Sequence, residues 1–165
     1  CTPSRGLGDV YKRQIEDEIK NPKRIIFCSG KIFYELDDFR TKNNIKDVKI
    51  VRIEQIYPFP FDAIGDVILK HKESEILWVQ EEPKNMGAWS FVKSRIRHVL
   101  VKNNLTKKVH YVGRRPAAAP ATGISKRHST NQQLIKELAL KSSLKRVIKE
   151  RSGVSFMKFK NLPKE

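Results

Sequence analysis

Three places along the chain gather side chains whose types are suited to chemistry. Gln80-Glu81-Glu82-Pro83 sets two carboxylates side by side, the groups that carry general acid–base catalysis. Ser29-Gly30-Lys31 ends an apolar run and opens a helical pattern, and backbone N–H groups at such a turn favour an anion beside the lysine. Arg52-Ile-Glu54-Gln55 ends a second apolar run, where an open α/β sheet has its ligand crevice. Spacing weakens each of them. Neighbouring strand residues point to opposite faces, so Glu81 and Glu82 cannot share one site. The expectation is that one of them pairs with a basic group such as Arg52 or Arg114. Ser29-Gly30-Lys31 lacks the phosphate-loop pattern of Gly, four residues, Gly-Lys-Ser/Thr, and Gly30 equally serves a tight strand-to-helix turn. His71, His98, His110 and His128 are scattered, with no metal-binding spacing. Cys28 lies inside a strand and reads as a buried, inert thiol. With Cys1 as its only companion there is neither a disulfide framework nor a multi-cysteine zinc site. No Gly-x-Gly-x-x-Gly comes after a strand. The residues alone nominate no catalytic set and no metal site; they nominate an α/β domain with anion-friendly strand ends.

The elements that must position these groups alternate. Arg24-Ile-Ile-Phe-Cys-Ser29 is a nearly continuous apolar run, and Lys31 to Asn44 has Ile32, Phe33, Leu36 and Phe39 at helical spacing. Val48 to Ile53 is a second strand. Tyr57-Pro-Phe-Pro60 is a loop, because two prolines forbid helix and central strand alike. Asp62 to His71 is a short helix, and Ile76 to Gln80 a third strand that Pro83 stops. A helix running to Asn103 carries Trp89, Val92, Ile96, Val99 and Leu100 on one face, and Lys108 to Val112 is a fourth strand. A loop with Pro116, Pro120 and Gly123 comes next. Ser129 caps a last helix from Thr130, which runs on into a basic tail with Leu134, Leu138, Leu144, Val147 and Ile148 as its stripe and Gly153 as its end. Strands this apolar, alternating with helices, predict a three-layer α/β/α domain with a mostly parallel sheet.

The chain has 165 residues, one domain's worth, and 39% of them are hydrophobic, against roughly 45–50% for an ordinary globular chain. Its net charge is +16, and the last 25 residues hold eight basic groups against two acidic ones. Such an excess draws polyanions, so a basic α/β nucleic-acid-binding domain is the alternative reading. Against it, Phe27, Phe33 and Trp78 sit at positions that read as core rather than as stacking platforms. No apolar run approaches a membrane span, and no signal peptide is visible. The expected organisation is a non-native or disordered leader over 1–21, a folded domain over 22–140, and a basic helical or flexible tail over 141–165.

Four segments, in order, then carry a resemblance: Phe27-Cys-Ser-Gly-Lys-Ile-Phe-Tyr34, Val51-Arg-Ile-Glu-Gln-Ile-Tyr-Pro-Phe-Pro60, Trp78-Val-Gln-Glu-Glu-Pro-Lys-Asn-Met-Gly-Ala-Trp89 and Tyr111-Val-Gly-Arg-Arg-Pro-Ala-Ala-Ala-Pro-Ala-Thr-Gly123. Over residues 22–140 the chain resembles the C-terminal domain of the 2-oxoglutarate dehydrogenase component of the oxoglutarate dehydrogenase complex. The resemblance implies a transketolase C-terminal-domain-like fold. It implies that the whole enzyme is a thiamine diphosphate-dependent decarboxylase passing a succinyl group to a lipoyl arm. Thiamine diphosphate and magnesium are then bound by domains preceding this stretch, whose own motifs for them are absent, so this piece alone is expected to be inactive. Implied partners are a second copy in a homodimer, the succinyltransferase core with its lipoyl domain, and dihydrolipoyl dehydrogenase; nucleic acid and a membrane span are not expected. A cytoplasmic location is implied for a bacterial source and the mitochondrial matrix for a eukaryotic one. Some members respond to nucleotides or acetyl-CoA, and Arg52, with Ser29 and Lys31, is the expected effector contact. The first residues and the tail beyond about Leu140 depart from the family pattern.

Overall fold

The computed structural model describes residues 19–119, 123 and 125–149. Four strands, β1 (Arg24–Cys28), β2 (Val48–Arg52), β3 (Glu75–Pro83) and β4 (Val109–Arg114), form one sheet in the order β2-β1-β3-β4, every pair parallel. The helices are α1 (Ile32–Lys42), α2 (Phe61–Lys70), α3 (Trp89–Lys102), α4 (Ser125–Leu140) and α5 (Leu144–Lys149). The three-layer α/β/α architecture read from the alternation of elements is the one observed.

The pleat divides the core in two. Ile25, Phe27, Val51, Trp78 and Tyr111 point to the face covered by α2 and α3, where Ile64, Ile68, Val92 and Ile96 meet them. Ile26, Cys28, Ile50, Leu77 and Val112 point the other way, onto Ile32 and Leu36 of α1, Ile135 and Leu138 of α4, and Val147 of α5. Each strand therefore buries both faces, which is why its sequence reads as a continuous apolar run. Because α1 returns to β2 on one face while α2 carries the chain across to β3 on the other, the winding reverses between β1 and β3.

Several boundaries depart from expectation. The third strand continues past Gln80 to Pro83, with a register shift between Val79 and Pro83. Its outer part holds Glu81 at the rim instead of in a loop. The last long helix begins at Ser125, not Thr130, so Ser129 lies inside it and is no cap. Gly123, at φ +68°, is the last breaker before it, and no residue from Ser125 to Ser129 opposes a helix. The single helix expected to run into the tail is instead two. Arg24, only 2% exposed, donates from its guanidinium to the carbonyls of Ala139 (2.6 Å) and Ser142 (2.9 Å) and pairs with Glu75 at 2.5 Å. A buried cation that takes the Ala139 carbonyl in the last turn of α4 and the Ser142 carbonyl in the turn beyond it fixes the end of the helix there. The chain turns at 141–143, and α5 returns Val147 to the core at 1% exposure. Gly153 and the aromatic tail segment around Phe156, like residues 1–18, lie outside the described residues.

His71, just past α2, is buried with both ring nitrogens lacking a hydrogen-bond partner. Burial, then the charges of Lys49 and Lys70, hold its pKa below the ordinary histidine value. The unfolded chain therefore takes up the proton first as pH falls. Stability should be full above the ordinary histidine pKa of about 6.5 and should decline as pH drops through it. Urea unfolding of the chain at pH 7.5 and pH 5.5 checks this: the loss on acidification should be smaller in His71→Gln, and an equal loss in both proteins contradicts it.

Candidate functional site at the rim of the sheet

The C-terminal ends of β1 and β3 flank the point where the winding reverses, the place where open α/β sheets hold their ligands. The segment after β1 is Ser29-Gly30-Lys31. Gly30 has φ +75°, and a side chain there would meet nothing within 4 Å, so the glycine serves the turn and leaves the rim open. Lys31 precedes the first residue of α1, and its ammonium lies 3.7 Å from Glu81 and 3.8 Å from Glu35. At 67% side-chain exposure these contacts are worth little, on the order of 0–1 kcal/mol.

Glu81 does meet a basic group, but that group is Lys31 rather than Arg52 or Arg114; its carboxylate also accepts from the side-chain amide of Gln132 on α4. Glu82 lies on the opposite face, where its charge, after burial, helps push the Tyr111 phenol above its ordinary pKa. The two carboxylates are held apart, as strand geometry requires, and form no acid–base pair.

Arg52 ends β2 beside Cys28 in the parallel register. Its guanidinium lies 5.0 Å from the ring centres of both Phe33 and Tyr34, donates to the Tyr34 hydroxyl at 2.6 Å, and forms an ion pair with Glu54. Stacking on two rings fixes its plane while leaving it at the rim. Ser29, Lys31 and Arg52 thus share one end of the sheet on the α1 side. Cys28 beneath them is fully buried, and burial pushes its thiol pKa up to about 12, so it is inert at neutral pH as expected.

The residue that organises this rim drew no functional weight in the sequence. Gln80, 3% exposed, spends both ends of its side-chain amide. Its carbonyl oxygen accepts from the Trp78 indole N–H (2.8 Å) and the Trp89 backbone N–H (3.0 Å). Its amide nitrogen donates to the carbonyls of Met86 (2.8 Å), Pro83 (3.2 Å) and Glu82 (3.3 Å). A polar residue closing an otherwise apolar strand is the signal that marks it. A second clamp joins the neighbouring loop: Asn85 and Ala117 exchange two hydrogen bonds of 3.0 Å. Gly113 completes the packing. A Cβ there would lie 2.4 Å from the Tyr111 hydroxyl and 2.9 Å from the Gln80 carbonyl oxygen, so β4 reaches the Gln80 backbone only without a side chain.

Among the described residues no three His, Cys, Asp or Glu side chains come together to hold a metal ion. No helix among them is long and apolar enough to cross a membrane.

Comparison with known proteins decides the family. A model of the 2-oxoglutarate dehydrogenase C-terminal family matches residues 5–152. The chain belongs to that family. The 2-oxoglutarate dehydrogenase E1 components of Brucella anthropi, Brucella ovis and Brucella canis are each 44% identical to it over 107 residues, 64% of this chain. Those residues are 11% of each relative, so the chain spans a small part of the proteins it matches.

The packing at the rim yields a paired prediction. Gly113→Ala should cost about 2–3 kcal/mol, the upper part of the roughly 1–3 kcal/mol range for overpacking a filled site. Gly30→Ala should cost only the left-handed backbone penalty of about 1 kcal/mol. Urea denaturation of both variants checks the order, and equal losses would contradict the close approach at Gly113.

Proposed function

We propose that this chain is the C-terminal domain of a thiamine diphosphate-dependent 2-oxoglutarate dehydrogenase. That enzyme decarboxylates 2-oxoglutarate and succinylates the lipoyl arm of a succinyltransferase core. The observation that carries the reading is the family match over residues 5–152 together with relatives that bear the E1 name. The domain serves as scaffold and dimer contact rather than as reaction centre. The described residues fit neither the coenzyme nor its metal: the rim offers no trio of donors, and Glu81 is already engaged by Lys31 and Gln132. We therefore place thiamine diphosphate and magnesium in the domains that precede this one and route no chemical step through these side chains. Dihydrolipoyl dehydrogenase completes the set of partners. The bacterial source of the relatives supports a cytoplasmic location.

The rim itself we assign to an anionic effector, a nucleotide or acetyl-CoA. Arg52, stacked and aimed by Phe33 and Tyr34, is the principal contact, and Ser29 and Lys31 contribute from the turn after β1. The nucleic-acid alternative has less support, because Arg52 and Arg95 stack on the chain's own rings, the latter 3.2 Å from the centre of Phe91.

Two assays test the assignment. The 165-residue chain supplied with 2-oxoglutarate, thiamine diphosphate and magnesium should release no carbon dioxide, whereas the complete polypeptide should; release by the short chain overturns the scaffold role. In the complete enzyme, Arg52→Ala should lose its response to added acetyl-CoA or nucleotide while keeping basal turnover. An unchanged response removes Arg52 from the effector site.

A further inference from the structure

Both cations assigned to the rim already face carboxylates. Arg52 pairs with Glu54, and the Lys31 ammonium lies 3.8 Å from Glu35 and 3.7 Å from Glu81. An anionic ligand must therefore compete with resident negative charge for either cation. Glu81 is placed unlike the other two carboxylates. Glu35 stands one turn from Lys31 on the same stretch of chain, and Glu54 comes two residues after Arg52, so each neutralises a near neighbour in sequence. Glu81 reaches Lys31 from β3, and the same carboxylate oxygen, Oε1, accepts from the side-chain amide of Gln132 on α4. One oxygen thus joins β3, α1 and α4. Its two partners are unequal. Lys31 is mostly exposed and able to turn toward a ligand, whereas Gln132 is buried at 7% exposure. Asn131 beside it is buried as well, and its side-chain oxygen has no hydrogen-bond partner among the described residues, so a shift of this turn forfeits no bond at that atom.

We propose that Glu81 is an internal anion of the effector rim: a phosphate-bearing ligand takes Lys31 from it, and the released carboxylate carries the event to α4 through Gln132. This rests on the effector reading above and names how that site is regulated. The step is an exchange of ion pairs. A diphosphate, the group that acetyl-CoA and a nucleoside diphosphate share, brings more negative charge to Lys31 and Arg52 than one carboxylate does. It also meets the N-terminus of α1, which starts at Ile32 without a side-chain cap and favours an anion. The contact it replaces is exposed and weak, so little is lost at Lys31. The opposing force is repulsion, because a charged Glu81 stands beside the phosphate that has displaced it. Moving off Lys31, the carboxylate keeps Gln132 as its hydrogen-bond donor. The displacement therefore pulls on a buried side chain of α4 instead of ending in solvent. Ligand binding and the position of this turn of α4 are then coupled in both directions.

Isothermal titration calorimetry of the complete enzyme with acetyl-CoA and, separately, with ADP tests this. Amide hydrogen exchange supplies the second readout, and circular dichroism verifies folding. Glu81→Gln keeps the size of the side chain and an oxygen for Gln132 while removing the charge. It should bind ligand about three- to tenfold more tightly at low salt, the gain shrinking as added salt screens the lost repulsion. Tightening for either ligand supports the exchange and names the carrier of the diphosphate. Glu35→Gln removes a charge from Lys31 that has no link to α4. In the wild type and in Glu35→Gln, ligand should change exchange at residues 131–134; in Glu81→Gln that change should be largely lost. Unchanged or weaker binding by Glu81→Gln overturns the inference and leaves the effector rim standing, as does an α4 response that survives the substitution. A wild type that binds neither ligand, or binding that Arg52→Ala leaves unchanged, overturns the rim and the inference together.

Discussion

The side-chain amide of Gln80 holds the rim of this sheet together. It sits where the third strand leaves the regular register, and its five hydrogen bonds reach two tryptophans and three carbonyls. A buried amide with both its oxygen and its nitrogen engaged is a strong local constraint, because any change that leaves its partners orphaned costs the full desolvation of each. The first turn of α3 hangs from it through the Trp89 N–H. The loop over Pro83 to Met86 curls around it. Glu81, one residue on, is aimed by that geometry at Lys31 and Gln132, and Gly113 lets β4 approach its backbone.

The chain belongs to the 2-oxoglutarate dehydrogenase C-terminal family, and its strand ends present cations and hydrogen-bonded amides rather than a reacting pair. Glu81 and Glu82 lie on opposite faces, Cys28 is a buried thiol, and Tyr111 is held neutral by burial and the Glu82 charge. Such a site suits binding and support. Its two outer faces also differ: one carries the stacked arginine at the end of β2, the other a cleft lined by Asp62 and Asp66 on α2 and by His98 and Lys102 on α3.

The layers were legible from the sequence because every strand buries both faces. The apolar runs at Ile25, Val48, Ile76 and Val109 could therefore be only a parallel sheet. The Gly30 turn and the inert Cys28 were readable from position alone. Less legible were features set by contacts distant in sequence. The end of α4 depends on Arg24, 115 residues earlier than the Ala139 carbonyl it binds, and no local pattern at Lys141–Ser143 announces that. The same helix starts earlier than its sequence suggests because Ser129 is as good a cap as any residue near it, and propensity cannot choose among them. Lys31 rather than Arg52 found Glu81, since the α1 turn brings the lysine over β3 while the arginine is taken up by two rings. Gln80 was visible only as a polar letter in an apolar run.

Replacing Gln80 by methionine, which keeps volume and removes every hydrogen bond, probes the rim most directly. Urea denaturation combined with amide hydrogen exchange should show a loss of about 3 kcal/mol, in line with several orphaned buried groups. Protection should fall most at the Trp89 amide and in the loop before it. A loss below about 0.5 kcal/mol, the usual size of a neutral surface change, with Trp89 still protected, would contradict the central role given to this amide.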